Sequence, residues 1–243
     1  MLIRLLPLVT GLLPVAAIHI SYLLAIQAGR LPVCVPYIAG CTSISATGRY
    51  PPASYLFKAV MLPEAMLLVG FWLASAAWLR ALERAGGDNG RGGSIIASLG
   101  TGGALCLVLY VTFLGTHEAF YEFMRRFGVY FYFLLSILAQ IALAWKVRDL
   151  ATRQNMARLR SLAQWQLLLC AVPFLLGALN LVLKATLAEP DRAENIIEWI
   201  FALLMQAYFV LAWAAWRQTG FSLSGELQAA AHRPPGRSSG AGA

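Results

Sequence analysis

Six stretches of nearly unbroken apolar residues alternate with short polar connections along this chain, at about 5–27, 56–82, 94–115, 127–145, 161–186 and 196–216. Each is close to the roughly 20 residues a helix needs to cross a hydrocarbon core of about 30 Å at 1.5 Å per residue. The pattern predicts an all-α protein, a polytopic six-transmembrane-helix bundle, with one membrane domain over residues 1–217. The first stretch follows Arg4 and could be mistaken for a signal peptide. It is too long for that apolar region and lacks a small-x-small cleavage site after it, so it reads as a span.

The connections differ in kind. Gly86, Gly87, Asp88, Asn89, Gly90, Arg91, Gly92 and Gly93 predict a flexible turn. The long first loop, 28–55, holds Pro32, Pro36, Pro51 and Pro52 with Gly29, Gly40 and Gly48, which rule out a long regular helix there. Long ordered loops are more often functional than short ones. The tail 218–243, with Pro234, Pro235 and Gly236, has too little apolar content to pack and is expected to be disordered. No internal repeat marks an inverted-repeat transporter.

Composition fixes the class. The chain has 243 residues, 59% hydrophobic and only 12% charged, with a mean hydropathy of +0.67. Soluble chains are about a quarter charged, so the fold's solvent is mostly lipid. The net charge of +8 sits in short connections, without a basic, aromatic-interleaved, water-facing stretch, so no nucleic-acid partner is expected. Twelve of the 19 Lys and Arg fall on the N-terminal side of the membrane, among them Lys146, Arg148, Arg153, Arg158 and Arg160. The positive-inside rule then puts both termini in the cytoplasm and the first loop outside. Cys106 and Cys170 read as small core residues. Cys34 and Cys41 flank Val35 to Gly40 in the first loop, where a disulfide or free thiols are both open.

Polar side chains within the spans gather at one end. His19, Glu64, His117, Glu118, Glu122, Asn180, Lys184, Glu194 and Glu198 all fall toward the outer side, while the inner halves hold little beyond Gln140 and Gln206. Such groups cost roughly 2.5–3.5 kcal/mol each at a helix centre on insertion scales. Their agreement across six helices predicts a polar chamber in one leaflet. Glu118 with Glu122, and His117 with Tyr121, are spaced to share a helix face, with Arg125, Arg126 or Lys184 as countercharge. The bland alternative is a set of interfacial side chains paired with one another and with headgroups.

Three chemistries fit this set. Acyl transfer or ester hydrolysis would use His117 as base, a carboxylate to orient it, and Ser43 or Ser45 as nucleophile. No G-x-S-x-G elbow supports it. A metal site from His19, His117, Glu64 and Glu118 lacks the H-E-x-x-H spacing, and no metal or cofactor is expected. Headgroup recognition would use Arg49, Lys58 and the polar helix ends. The run from Cys41 to Pro52, with Ser43, Ser45, Thr47, Gly48 and Arg49, either cradles a phosphate or sugar or packs as a hydrogen-bonded cover.

The Ser43-Ile44-Ser45-Ala46-Thr47-Gly48 loop with Pro51-Pro52 resembles the first lumenal loop of the DRAM/FRAG/SFK membrane family. That family includes autophagy modulators, post-GPI-attachment lipid-remodelling proteins and the N-terminal domain of the fungal Cwh cell-wall protein. His117-Glu118-Ala119-Phe120, and the entry Glu194-Asn195-Ile196-Ile197-Glu198-Trp199 to the sixth span, are similar to the GPI-remodelling branch. The resemblance reaches to about Arg217 and implies a six-span bundle with a role in lipid handling. The Arg/Ala/Gly-rich composition looks bacterial, implying an inner-membrane protein. A bacterium has no GPI anchor, so that substrate is not carried over.

Residues and resemblance together predict an outer chamber that binds a lipid headgroup for remodelling by acyl or headgroup transfer or hydrolysis. His117, Glu118 and Glu64 are the candidate catalytic residues. His19, Ser43, Ser45, Thr47, Arg49, Lys58, Tyr121, Glu122, Asn180, Lys184 and Glu198 are the candidate substrate contacts. The alternative is a non-catalytic lipid-sensing regulator or scaffold, whose protein partner would meet the basic 146–160 loop. A small transporter or flippase fits less well, because the inner half is nearly free of ionisable groups.

Overall fold

The computed structural model describes residues 2–88, 92–187 and 191–222. The tail expected to be disordered falls outside them from residue 223 onward, as do positions 89–91 of the glycine-rich turn. Six long helices carry the fold: α1 (Leu6–Gln27), α4 (Ala53–Ala85), α5 (Gly93–Thr112), α6 (Ala119–Arg153), α7 (Ala157–Thr186) and α8 (Asp191–Gln218). Two short helices, α2 (Pro36–Ala39) and α3 (Ile44–Thr47), lie in the first loop. All six long helices are apolar enough to cross a membrane. Helix is the form such segments take in lipid because it satisfies its backbone hydrogen bonds internally.

Each long helix packs on the next in the chain, and α8 closes on α1, so the six form a ring. Small residues permit the closest approaches. The space a Cβ would take on Gly100 of α5 is filled by the Trp72 indole of α4. At the basic end, Phe71, Trp72, Phe209 and Trp216 form an aromatic core, with Phe71 stacked on Trp216 at 5.6 Å. Arg4 ties the N-terminal segment to the end of α8, donating to the Phe221 and Gly220 carbonyls at 2.9 Å each.

Helix ends run past the apolar stretches. α6 has 35 residues, about 52 Å of helix against a core of about 30 Å. It begins at Ala119 rather than near Phe127, because Glu122 pairs with Arg126 at 2.6 Å and Arg125 at 3.4 Å one turn on. It ends at Arg153 rather than near Trp145, where Arg153 grips Asp149 at 2.5 Å. The expected 146–160 loop is therefore mostly helix. The real connection to α7 is residues 154–156, turning through Asn155 at φ 54°.

α7 stands apart. Only 17% of its apolar stretch is buried, against 39% or more in every other span. Its Leu168, Phe174, Leu175, Leu181 and Val182 are exposed, as side chains facing lipid would be.

Candidate functional site

The first loop, residues 28–52, is fastened over one end of the ring. A disulfide joins Cys34 to Cys41, resolving the two readings of that pair. The Tyr22 hydroxyl of α1 meets the Pro32 and Cys34 carbonyls at 3.0 Å, and the Cys34 N–H at 3.1 Å. Three side chains on one flank of α8 take the loop's carbonyls: Arg192 donates to Ala39, Asn195 to Gly40 and Trp199 to Thr42, each at 2.9 Å. Gly40 has φ 60°, and a Cβ there would strike the Arg192 backbone, so only glycine seats this turn.

His19 belongs to the same fastening. Its Nδ1 lies 2.7 Å from the Val15 carbonyl, which can only accept, so that nitrogen carries hydrogen. In a neutral ring Nε2 then accepts from the Tyr37 hydroxyl at 3.1 Å. Burial raises the Tyr37 pKa, which keeps this hydroxyl a donor. Trp199 packs edge-on against both rings.

Beneath the loop lies a cavity of about 30 Å³, lined by residues that include Glu198, Gln206, Tyr110, Tyr132, Phe57 and Phe133. A water needs roughly 10–15 Å³ of such space, so the cavity takes a group of one or two water volumes. The Glu198 carboxylate faces the backbone N–H groups of Ile44 and Ser45, where α3 begins. The Ser45 and Tyr110 hydroxyls are bonded at 3.0 Å. Gln206 is only 8% exposed, and its Oε1 has no hydrogen-bond partner. Glu64, on α4, is 0% exposed with both carboxyl oxygens unpartnered, and it lies within electrostatic reach of Tyr132. Just before it, Pro63 cannot donate to the Ala59 carbonyl, so another acceptor is freed one turn earlier.

The structure sorts the candidates. It brings Glu198 to the cavity, Ser45 onto the hydroxyl of the lining Tyr110, and Glu64 within electrostatic reach of the lining Tyr132. It leaves His117 and Glu118 exposed on the α5–α6 connection, their side chains bonded to no described residue. Glu118 precedes the first turn of α6 with φ −75° and ψ 139°, so it does not share a helix face with Glu122. Tyr121 stacks on Phe113 at 5.2 Å. Lys184 pairs with Glu194 at 2.6 Å instead of with Glu122. Asn180 is half-buried with Oδ1 unpartnered. Lys58 is half-buried without an ion pair among the described residues.

The loop's hydroxyls are largely spent on the loop itself. Ser43 Oγ accepts from the Ala46 N–H at 3.2 Å as the cap of α3, and Thr47 donates to the Ile44 carbonyl at 2.7 Å. These two therefore hold the cover's shape. Arg49 is half-buried and acts electrostatically on both Tyr110 and Glu122. Among the described residues no three His, Cys, Asp or Glu side chains come together as a metal site would require. The residues that sequence reasoning missed are Tyr110 and Tyr132, along with the cavity-facing role of Gln206. A tyrosine in an apolar stretch looks like packing, and no spacing signal distinguishes these two.

A helical ring with a disulfide-braced cover over a small, mostly apolar cavity that holds Glu198 and Gln206 defines a polytopic membrane protein with a candidate site at one helix end. The chain belongs to the Frag1/DRAM/Sfk1/Cwh43P N-terminal domain family, whose sequence profile matches residues 3–218. Neither a curated protein nor a solved structure gives a significant match.

Proposed function

We propose that this protein binds the headgroup of an outer-leaflet lipid at the covered end of the ring and remodels or positions that lipid. One observation carries the reading: Glu64, with both carboxyl oxygens buried and unpartnered, lies within electrostatic reach of Tyr132, which lines a cavity with Glu198 and Gln206 under a fastened loop. Buried polar atoms are normally satisfied, and exceptions within a membrane span mark sites by default. The bias of Lys and Arg to one side supports a covered end outside and both termini in the cytoplasm, and the Arg/Ala/Gly-rich composition supports a bacterial inner membrane. For remodelling, Glu198 and Glu64 are the groups placed to hold or move a proton. His117 and Glu118 stand outside the cover, where they would meet the lipid as it approaches.

Lipid mass spectrometry of cells lacking the protein, then complemented, tests this. One lipid class should change in acyl or headgroup composition, wild type should restore it, and Glu198→Gln should not. His117→Ala separates the two placements, since full rescue assigns the chemistry to the cavity. Unchanged lipids in every strain would end the remodelling reading.

A second reading has its own observation. Lys146, Arg148, Arg158 and Arg160 are exposed at the opposite end without ion-pair partners among the described residues. A lipid-sensing scaffold would use that surface to hold a protein partner. Substitutions there would abolish function while the Glu198→Gln protein rescued.

A further inference from the structure

The end of the ring opposite the cover holds more positive charge than the protein itself neutralises. From Trp145 to Trp165 the chain carries Lys146, Arg148, Arg153, Arg158 and Arg160 against one carboxylate, Asp149. Among the described residues, three carboxylates stand at this end. Asp149 and Asp88 both pair with Arg153, and Glu83 is buried and accepts from the Gly92 N–H at 3.1 Å. Lys146, Arg148, Arg158 and Arg160 are exposed, with no carboxylate partner among the described residues. The covered end is different: there Glu122 holds Arg125 and Arg126, and Glu194 holds Lys184.

Depth orders these groups. Trp145 stands nine residues before Gln154, and Trp165 nine after Met156, at the two ends of the connection. α6 and α7 pack along each other, so the two indoles lie near one level, and both are exposed. Exposed tryptophans settle in the headgroup layer, roughly 5–7 Å thick on each side of a bilayer. At a helical rise of about 1.5 Å per residue, Lys146 and Arg148 lie about 1.5 and 4.5 Å beyond Trp145, and Arg160 about 7.5 Å beyond Trp165. Arg158 is at the edge, about 10.5 Å out, and Arg153 is about 12 Å out. Arg153 is the one with protein countercharges. Carboxylates are thus supplied where phosphates are out of reach and withheld where phosphates are at hand.

Side-chain direction agrees. Helix side chains lean toward the N-terminus, which for α6 and α8 means back toward the membrane core. The Arg148 guanidinium lies over the Trp145 ring, 5.3 Å from its centroid, and Arg217 of α8 lies over Trp213 at 4.9 Å. A guanidinium on a ring face keeps its N–H edge available to two oxygens of one phosphate.

We propose that this end of the ring docks anionic phospholipids of its own leaflet. Lys146 and Arg148 of α6, Arg160 of α7 and Arg217 of α8 meet the phosphates, and the tryptophans set the depth. The occupant is lipid rather than protein because these cations stand at headgroup level, where phosphates are the nearest counterions. The surface is separate from the covered cavity and does not rest on the reading of it.

The test uses the full chain in micelles of a neutral detergent, with phosphatidylglycerol fluorescently labelled on an acyl chain and binding read by anisotropy. Unlabelled phosphatidylglycerol should displace the label at about tenfold lower concentration than phosphatidylcholine of matched chains, and binding should weaken as salt is raised. Lys146→Gln combined with Arg148→Gln should weaken binding roughly 25-fold, about fivefold for each charge. Arg148→Lys keeps the charge and should stay within about twofold, as should Arg153→Gln, whose charge is already paired.

Equal displacement by phosphatidylcholine would overturn the proposal, as would an Arg153→Gln loss as large as that of the double variant. Inorganic phosphate displacing the label as well as the lipid does would overturn the lipid source. Binding that no variant alters would overturn the lipid surface in favour of a protein partner. Circular dichroism shows whether the double variant keeps its helices. If it does not, Arg148→Gln alone decides, at about fivefold.

Discussion

A carboxyl group with neither oxygen hydrogen-bonded, inside a membrane-spanning helix, lowers stability, and is expected where the protein's function depends on it. Glu64 is such a group. Replacing it with leucine removes the unsatisfied polar atoms and fills the space with hydrocarbon. Glu64→Leu should therefore raise the thermal unfolding midpoint by the equivalent of about 1–3 kcal/mol, while failing to restore the lipid phenotype. A lower midpoint in detergent would mean that Glu64 supports the fold and would remove it from the site. The sequence marks Glu64 because a carboxylate among apolar residues stands out. It is silent on Tyr110 and Tyr132, whose rings serve packing and whose hydroxyls meet the cavity, since one residue type does both jobs. It marks His117 and Glu118 by their adjacency, and their exposure on a connection, away from the cavity's lining, is seen only once the helices are placed.

At the scale of elements, the cover is held mainly by α8. Trp199 is 1% exposed and gives its indole N–H to the Thr42 carbonyl. Trp199→Phe keeps the ring packing and loses that bond, worth about 1 kcal/mol. Amide exchange over 39–45 should then quicken about fivefold, and no change would show that Tyr22, Arg192 and Asn195 seat the loop without it. The helix-to-helix contact at Gly100 is less forgiving. Gly100→Leu drives a side chain into the Trp72 ring and should lower stability by about 1–3 kcal/mol, read as a lower unfolding midpoint. The spans themselves were legible from apolar length. Their ends were not, because Glu122, Arg125, Arg126, Asp149 and Arg153 look like loop residues in isolation. They extend α6 only through pairings one turn apart, which become visible once the helix exists.

For the whole molecule, the open matter is which way the ring faces. The basic bias predicts that the covered end faces outside, and cysteine labelling checks it. Val33 is 82% exposed in the first loop, and Arg158 is exposed at the far end. Val33→Cys should react with a membrane-impermeant maleimide in intact cells, and Arg158→Cys only after permeabilisation. The reverse pattern would invert the topology and, with it, the leaflet assigned to the site. The ring order could not be read from the sequence, since any of several arrangements buries the same apolar faces. Nor could the sparse burial of α7, whose composition matches that of its better-packed neighbours.

The Cys34–Cys41 bond carries one more consequence. Thiols stay reduced in the cytosol and are oxidised beyond the inner membrane. The bond is thus a chemical record of the compartment in which this loop matured. Protein made in cells that lack extracytoplasmic thiol oxidation would keep its spans and its family likeness but hold the loop only through its hydrogen bonds to α1 and α8. The steadiness of the cover would then track the redox state of its surroundings, a sensitivity that nothing in the helices themselves would betray.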